Sequence, residues 1–333
     1  MEFFNSHRRL FISATLLFWV LTLFVAILPA LNNQANNKPL SNAEPMSEAA
    51  VRGKNLFISN GCVACHTQQV RSADMDRTWG SRPGMAADYA DNHRISTWVN
   101  TATLMGTERT GPDLTNIGNR QPSVDWNLLH LYNPRAVVKE SIMPSFKWLF
   151  IEKQHVAKGD VEVKVPAAFA GSGNKHIIAS GDALDLVAYL NSLKQTKIAT
   201  EASQPFLYAK TGVKEQAGKP AGLDGKLLYT TNCQPCHQSS GEGLPGAFPP
   251  LKGSPVVEGA NLELYVDIIM NGYDAREEFG VMPAVGSNAK FTEKEVAAII
   301  NHERTSWGNK GTKVTDAEIK KIMDLVKQKV GKT

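Results

Sequence analysis

The pentapeptide Cys62-Val63-Ala64-Cys65-His66 constrains this chain more than any other stretch, and it is echoed by Cys233-Gln234-Pro235-Cys236-His237. Both read Cys-x-x-Cys-His, the spacing at which c-type haem is attached covalently. The two thiols add to two vinyl groups of one macrocycle, so they must lie on one side of one short turn. Two intervening residues achieve this, and the adjoining histidine then falls beneath the iron as its proximal ligand. A structural zinc site asks for four ligands, often Cys pairs close in sequence. Here the pairs are far apart and each is followed at once by His. A thioredoxin-like pair, or a disulfide within each Cys-x-x-Cys, leaves both histidines unexplained. The motifs use all four cysteines of the chain. The expected cofactor is therefore two covalently bound haem c groups, held through Cys62, Cys65, Cys233 and Cys236, with His66 and His237 on the irons.

Residues 10–31, LFISATLLFWVLTLFVAILPAL, form an almost unbroken apolar run. A membrane-spanning helix needs ~20 such residues, whereas the apolar region of a cleaved signal peptide, the alternative reading, has ~7–15. His7, Arg8 and Arg9 precede the run, and no acidic residue follows it until Glu44. Flanking positive charge holds the N-terminus in the cytoplasm, so the rest of the chain is expected on the periplasmic side of the inner membrane of a bacterium, behind a single-pass anchor. That is the compartment in which c haem is attached. A chain of 333 residues with 42% hydrophobic content suggests about two globular domains. A formal charge of +4 is no nucleic-acid footprint, and no nucleic-acid partner is expected. The boundaries read as 1–36 for a cytoplasmic tip and anchor, 37–199 for a first domain, 200–222 for a polar linker, and 223–333 for a second domain with a C-terminal helix.

Local patterns fill in these domains. Ser47 caps a helix from Glu48 to Ile58 that runs into the first motif. A helix is expected from Arg94 to Met105 and another from Trp126 to Leu131, the latter broken at Asn133-Pro134-Arg135. Val161 to Val165 alternates as a half-exposed strand does; a Gly-rich turn over Phe169–Asn174 and a returning strand over His176–Ala179 complete a hairpin insert. Gly181 to Lys194 is helical. Gly225-Lys226-Leu227-Leu228-Tyr229 echoes Gly53-Lys54-Asn55-Leu56-Phe57, each just before a motif, as an internal duplication would. Helices over Leu262–Asn271 and Thr292–Thr305 follow, the latter opened by a Thr292/Glu295 capping box. Ile319, Ile322, Met323 and Val326 put an apolar side on a last helix expected to pack on the second domain. Met143-Pro144 and Met282-Pro283 occupy matching places after each motif. A thioether is soft and neutral, favours reduced iron and raises its potential, so Met143 and Met282 are the candidate distal ligands. Met143 could instead be core filler, and Met105, His93 and His130 compete with it at the first haem.

The second domain resembles a class I cytochrome c along nearly its whole length. In the first, GCVACHTQQVR, WGSR, RTGPDL, HLYNPR and SIMPSFKWL follow one another in the order seen in the membrane-anchored monohaem cytochrome c subunit of cbb3-type haem-copper oxidases, up to about Leu149. The resemblance implies a mainly α fold: an N-terminal transmembrane helix, then two cytochrome c-like haem domains, the first with a small β-hairpin insert. It also implies that Pro112, in Gly111-Pro112-Asp113-Leu114, and Pro249, in Phe248-Pro249-Pro250-Leu251, accept the N–H of the proximal histidine and fix its ring. Residues 150–180 look like extra material, and a fused second cytochrome domain is not the family's usual arrangement. In NHERTSW, His302 stands near a place where many members carry an aromatic residue, which bears on the helix packing there.

What the resemblance implies about function is a dihaem electron-transfer subunit of a respiratory terminal oxidase. Its partners would be a haem-copper catalytic subunit, the membrane, and an electron-donating cytochrome or quinol-oxidising complex. Electrons would enter at the haem on His237 and leave from that on His66, with no catalytic centre on this chain. The alternatives are the cytochrome c subunit of a nitric oxide reductase, a free-standing membrane-anchored carrier, and a haem enzyme such as a peroxidase, which needs an open iron position.

Overall fold

The computed structural model describes residues 4–36, 45–80, 82–90, 104–170, 175–196, 224–276, 278–289 and 291–330. The expected linker, His93, most of the helix expected from Arg94 and residues 171–174 of the expected turn lie outside them. In chain order the helices begin with α1 (His7–Leu21), α2 (Leu28–Asn36), α3 (Glu48–Ser59), α4 (Ala86–Ala90), α5 (Ile117–Arg120), α6 (Val124–Tyr132) and α7 (Pro134–Val137). The strands β1 (Phe150–Lys153) and β2 (His176–Ala179) come next. After them stand α8 (Gly181–Ser192), α9 (Gly225–Asn232), α10 (Gln234–His237), α11 (Pro255–Glu258), α12 (Leu262–Asn271), α13 (Val285–Ala289), α14 (Glu293–Thr305) and α15 (Asp316–Val330).

The chain divides into two compact units, one of Met1–Met46, Met85–Met105 and Thr196–Ile198, the other of Ser47–Gly84, Gly106–Gln195 and Ala199–Thr333. In the first, α1 and α2 are joined by a π-helical segment, Thr22–Ile27, where Thr22 Oγ1 donates to the Phe18 carbonyl at 2.8 Å. The span His7–Asn33 has a mean hydropathy of 2.5 in its most apolar window, long and apolar enough to cross a membrane. Its 27 residues reach roughly 40 Å at helical rise, beyond the ~30 Å of a hydrocarbon core. In the same unit, Asp88 of α4 accepts the Met85 and Thr196 amides.

The second unit is built on two helix crossings of one design. Ser47 caps α3 by accepting the Ala50 amide, and α3 crosses α8 so closely that a Cβ on Gly53 would sit 1.9 Å from the Asp185 carbonyl oxygen. Phe57 and Tyr189 meet there with ring centroids 5.4 Å apart, and Arg52 pairs with Asp185 at 2.6 Å. At the second crossing, α9 meets α14, and a Cβ on Gly225 would sit 2.1 Å from the Ala298 carbonyl oxygen. The echoed pentapeptides thus place a glycine where backbones touch and an aromatic residue one turn on. His302 keeps a ring at the second crossing, 5.3 Å from Tyr229 and 5.7 Å from Trp307.

The Thr292/Glu295 capping box closes as its spacing implies. Ile319, Met323 and Val326 of α15 are buried in one core with Tyr265, Val266, Ile269, Val296, Ile299 and Ile300. The insert is a small antiparallel hairpin, but its first strand is β1, Phe150–Lys153, not Val161–Val165. Phe150 pairs with Ala179 and Lys153 with His176. Residues 161–163 run along the other edge of β2, where the Val163 amide reaches the Ile177 carbonyl and the Ala179 amide reaches the Val161 carbonyl. Alternation marked an edge segment there, and the strand with the fuller ladder lacked the pattern because Ile151 and Glu152 are both exposed.

Gly53→Ala and Gly225→Ala should each destabilise the protein by about 1–3 kcal/mol or more through overpacking against backbone. Gly181→Ala, with nothing within 4 Å of the new methyl, should be neutral or stabilising by up to ~1 kcal/mol. Denaturant midpoints of the three variants test the crossing.

Candidate functional site

The first motif follows directly on α3. Gly61, at φ 72, turns the chain out of the helix, and the Cys65 and His66 amides both return to the Cys62 carbonyl at 3.2 and 3.0 Å. His66 Nδ1 lies 2.8 Å from the Pro112 carbonyl oxygen. A carbonyl only accepts, so Nδ1 carries the hydrogen and Nε2 presents a lone pair. Burial pushes His66 below its ordinary pKa, although Pro112 and Asp113 favour its proton. The ring rests against Gly111, where a Cβ would come within 2.3 Å of Cε1. Asp113 then anchors the motif's far side: its carboxylate accepts from Thr67 Oγ1 at 2.7 Å and from the Gln69 and Thr115 amides at 2.7 and 2.8 Å.

Arg109 continues this network. It donates to Thr67 Oγ1 at 2.9 Å and to Asp76 at 2.6 Å, and it lies over the Trp79 ring. Burial alone would raise the Asp76 carboxyl, but hydrogen bonds from Arg71 and Arg109 outweigh it and hold the group below the usual carboxylate range.

The second motif repeats the arrangement in a more enclosed setting. The His237 amide returns to the Cys233 carbonyl at 3.0 Å, and His237 Nδ1 lies 2.9 Å from the Pro249 carbonyl oxygen. Burial pushes this imidazole down as well. Cys233, Cys236, His237, Pro249 and Met282 line one cavity with about 1320 Å³ of empty space, its open mouth included. Apolar side chains such as Phe248, Leu251, Ile268, Ile269 and Val285 wall it. Met282 is pinned in a short antiparallel pairing, exchanging two 2.9 Å backbone bonds with Tyr273. Gly272, at φ +84, lies where a Cβ would be 2.5 Å from the Met282 carbonyl. Met143 sits on the loop after α7, half-buried, its amide 3.3 Å from Ser141 Oγ. His130 stacks on Trp126 with centroids 4.5 Å apart; burial, and then the charge of nearby His66, push it down to about 4. Met105 is exposed.

The four cysteines form no disulfide with one another, and burial pushes the Cys62 and Cys236 thiols up. Among the described residues no three His, Cys, Asp or Glu side chains gather into a metal-binding cluster, as zinc would require. Two thiols on one turn, a lone pair fixed by a carbonyl and an apolar cavity fit a thioether-bound macrocycle.

Residues 2–178 match the family described as cytochrome c oxidase, mono-haem subunit/FixO. The chain belongs to this family. The FixO-type region ends well before the second motif, which falls in residues 220–302, matched by the family described as cytochrome c oxidase, cbb3-type, subunit III. Cytochrome c-552 of Thermus thermophilus is 35% identical over 113 residues, 31% of this chain and 76% of that protein. The cytochrome c subunit of the quinone alcohol dehydrogenase of Gluconacetobacter polyoxogenes is 36% identical over 120 residues, 32% of this chain and 24% of that protein. The chain thus spans about a quarter of the length of such dehydrogenase subunits. This FixO-type chain is a cytochrome c electron-transfer protein, and covalently bound haem c is the cofactor its families imply.

Gly111 and Arg109 stand in RTGPDL, but that string does not show that Gly111 lies on the His66 ring or that Arg109 reaches Asp76. Arg120, Gln121 and Glu303, which line the second cavity, gave no signal, because their placement depends on folding. Glu303 is buried, accepts from the Tyr265 hydroxyl, and is pushed up to about 7 by burial. Its raised folded-state pKa favours the neutral acid, so its stabilising contribution is present below the ordinary value near 4.5 and is lost as pH rises toward 7. The loss should reach at most roughly 3 kcal/mol. Glu303→Gln should flatten that part of the stability profile, read as denaturant midpoints from pH 4 to 8.

Proposed function

We propose that this chain is a dihaem cytochrome c subunit of a cbb3-like terminal oxidase, anchored in the inner membrane with its haem domains in the periplasm. The observation that carries the reading is the repeated proximal geometry, His66 Nδ1 at 2.8 Å from the Pro112 carbonyl and His237 Nδ1 at 2.9 Å from that of Pro249. Cys62 and Cys65 would hold one haem and Cys233 and Cys236 the other, with His66 and His237 as proximal ligands and Met143 and Met282 as distal ones. Each bound haem takes up and gives out one electron at a time. The chain's own residues hold the imidazoles neutral and aligned, exclude water with apolar walls, and set the distal thioethers on short constrained loops.

Support for the oxidase role comes from the FixO match, which includes the apolar helix His7–Asn33. A haem-copper catalytic subunit would then be the acceptor from the haem on His66. A donor cytochrome or quinol-oxidising complex would reduce the haem on His237. The second region's match to a subunit III model supports an entry role there. The high coverage of cytochrome c-552 favours a second reading, a membrane-anchored carrier serving several acceptors.

Purification of the tagged full chain from native membranes should bring down a haem-copper subunit and yield oxygen consumption with a reduced donor. A lone monomer would favour the carrier, and nitric oxide consumption in place of oxygen would favour a reductase. Met143→Ala and Met282→Ala should each lower the midpoint potential of a different haem by removing the thioether that favours ferrous iron. Spectroelectrochemical titration checks both, and an unchanged midpoint would withdraw that methionine as a ligand.

A further inference from the structure

The loop that carries Met282 is open on its outer side. From Tyr273 to Arg276 it is exposed, and its inner end is paired where Met282 exchanges backbone bonds with Tyr273. The backbone approaching Met282 can be followed residue by residue. The Phe279 amide bonds to the Arg276 carbonyl at 3.0 Å and the Gly280 amide to that of Ala247 at 2.8 Å, both within the second domain. The Val281 amide, next to Met282, bonds instead to Asp125 Oδ2 of the first domain at 2.8 Å. The Phe279 carbonyl accepts from Lys164 Nζ, also of the first domain, at 2.7 Å. A Cβ on Gly280 would lie 3.0 Å from Cβ of Asp125, so the loop rests on that side chain as well as bonding to it.

Both anchors are themselves fixed. Asp125 stands in the first turn of α6, which Ser123 caps by accepting the Trp126 amide at 3.2 Å, and buried Trp126 donates to the Pro235 carbonyl at 2.8 Å. Lys164 follows Val163, which is buried and whose amide bonds to the Ile177 carbonyl of β2 at 2.7 Å. An acidic residue in the first turn of a helix is ordinarily accounted for by the helix dipole. The Val281 amide gives this one a second partner, and no dipole accounts for Lys164. An acidic and a basic side chain from separate elements thus converge on one loop, each through a charge-assisted bond to backbone. At the first site the loop is held from within, the Met143 amide bonding to Ser141 Oγ at 3.3 Å.

We infer that Asp125 and Lys164 are positioning residues for the second iron: they clamp the loop over residues 279–281 so that Met282 stays within reach of the metal, and the insert of residues 150–180 supplies half of the clamp. The inference rests on the reading of Met282 as a distal ligand. A group that orients a ligand without touching the metal acts on how firmly that ligand is held. Loss of either bond should therefore raise the fraction of molecules in which Met282 is detached, with attachment through Cys233 and Cys236 unaffected.

The test is imidazole binding to the ferric full-length holoprotein, its two haems counted by intact mass. Imidazole reaches an iron only while the methionine is off, so its apparent affinity reports the detached fraction. Met282→Ala identifies the second iron and sets its upper limit, and Met143→Ala does the same for the first. Asp125→Ala and Lys164→Met should each tighten imidazole binding at the second iron about tenfold, the size expected for one charge-assisted hydrogen bond. Each should also move the midpoint of that haem toward the Met282→Ala value and leave the first iron unchanged. Asp125→Asn keeps an acceptor for the Val281 amide and should stay near wild type; an asparagine that behaved as alanine would assign the effect of Asp125 to the helix dipole instead. If Asp125→Ala does not accumulate with both haems, Lys164→Met, on the edge of the hairpin, decides alone. Unchanged imidazole affinity in these variants, or an equal change at both irons, would overturn the inference and leave Met282 a ligand. If Met282→Ala itself alters neither imidazole binding nor a midpoint, the ligand reading fails and the inference with it.

Discussion

The hydrogen bond from a histidine Nδ1 to a proline carbonyl is what the rest of each site is arranged to protect. A backbone carbonyl has one chemical option toward an imidazole, which is to accept, so it chooses the tautomer and the direction in which the other nitrogen points. That choice holds only if the ring and the loop cannot slide past one another. At the first site Gly111 lets the loop lie flat on the ring, and Asp113, bonded to Thr67, Gln69 and Thr115, ties the loop to the segment just after His66. Arg109 extends the same tie to Asp76. At the second, the Gly243 amide bonds to the His237 carbonyl, and the Tyr229 hydroxyl to that of Gln238.

The two crossings that carry these motifs show how one backbone solution accepts different side chains. Gly53 and Gly225 are needed because each lies against the carbonyl of a partner helix. The rings around them are free to vary so long as they fill the same space: Phe57 with Tyr189 in one case, Tyr229 with His302 and Trp307 in the other. A histidine in an aromatic position is tolerated there because its stacking area, more than its charge, is what the crossing uses.

Much of this was legible in the residues themselves. The cysteine and histidine spacings, the apolar run from Leu10, the capping serines and threonine and the echoed pentapeptides all encode their structure locally. The first strand of the hairpin was misplaced because alternation reports one-sided exposure, and β1 pairs through backbone while both Ile151 and Glu152 face solvent. Gln121, Trp126 and Glu303 had no legible role because each meets a segment distant in sequence, and no local pattern records which groups a fold will bring together.

The contacts of Trp126 with Pro235, Asp125 with Val281, and Lys164 with the Phe279 carbonyl at 2.7 Å all end on backbone atoms of the second region. Their other ends are side chains of the first region, so each bond depends on one rotamer there but not on which side chain stands at the backbone end. Substitutions at Pro235 or Phe279 can therefore remodel the surface of the second region and leave its carbonyl free to accept, whereas a change to alanine at Asp125, Trp126 or Lys164 removes a bond outright.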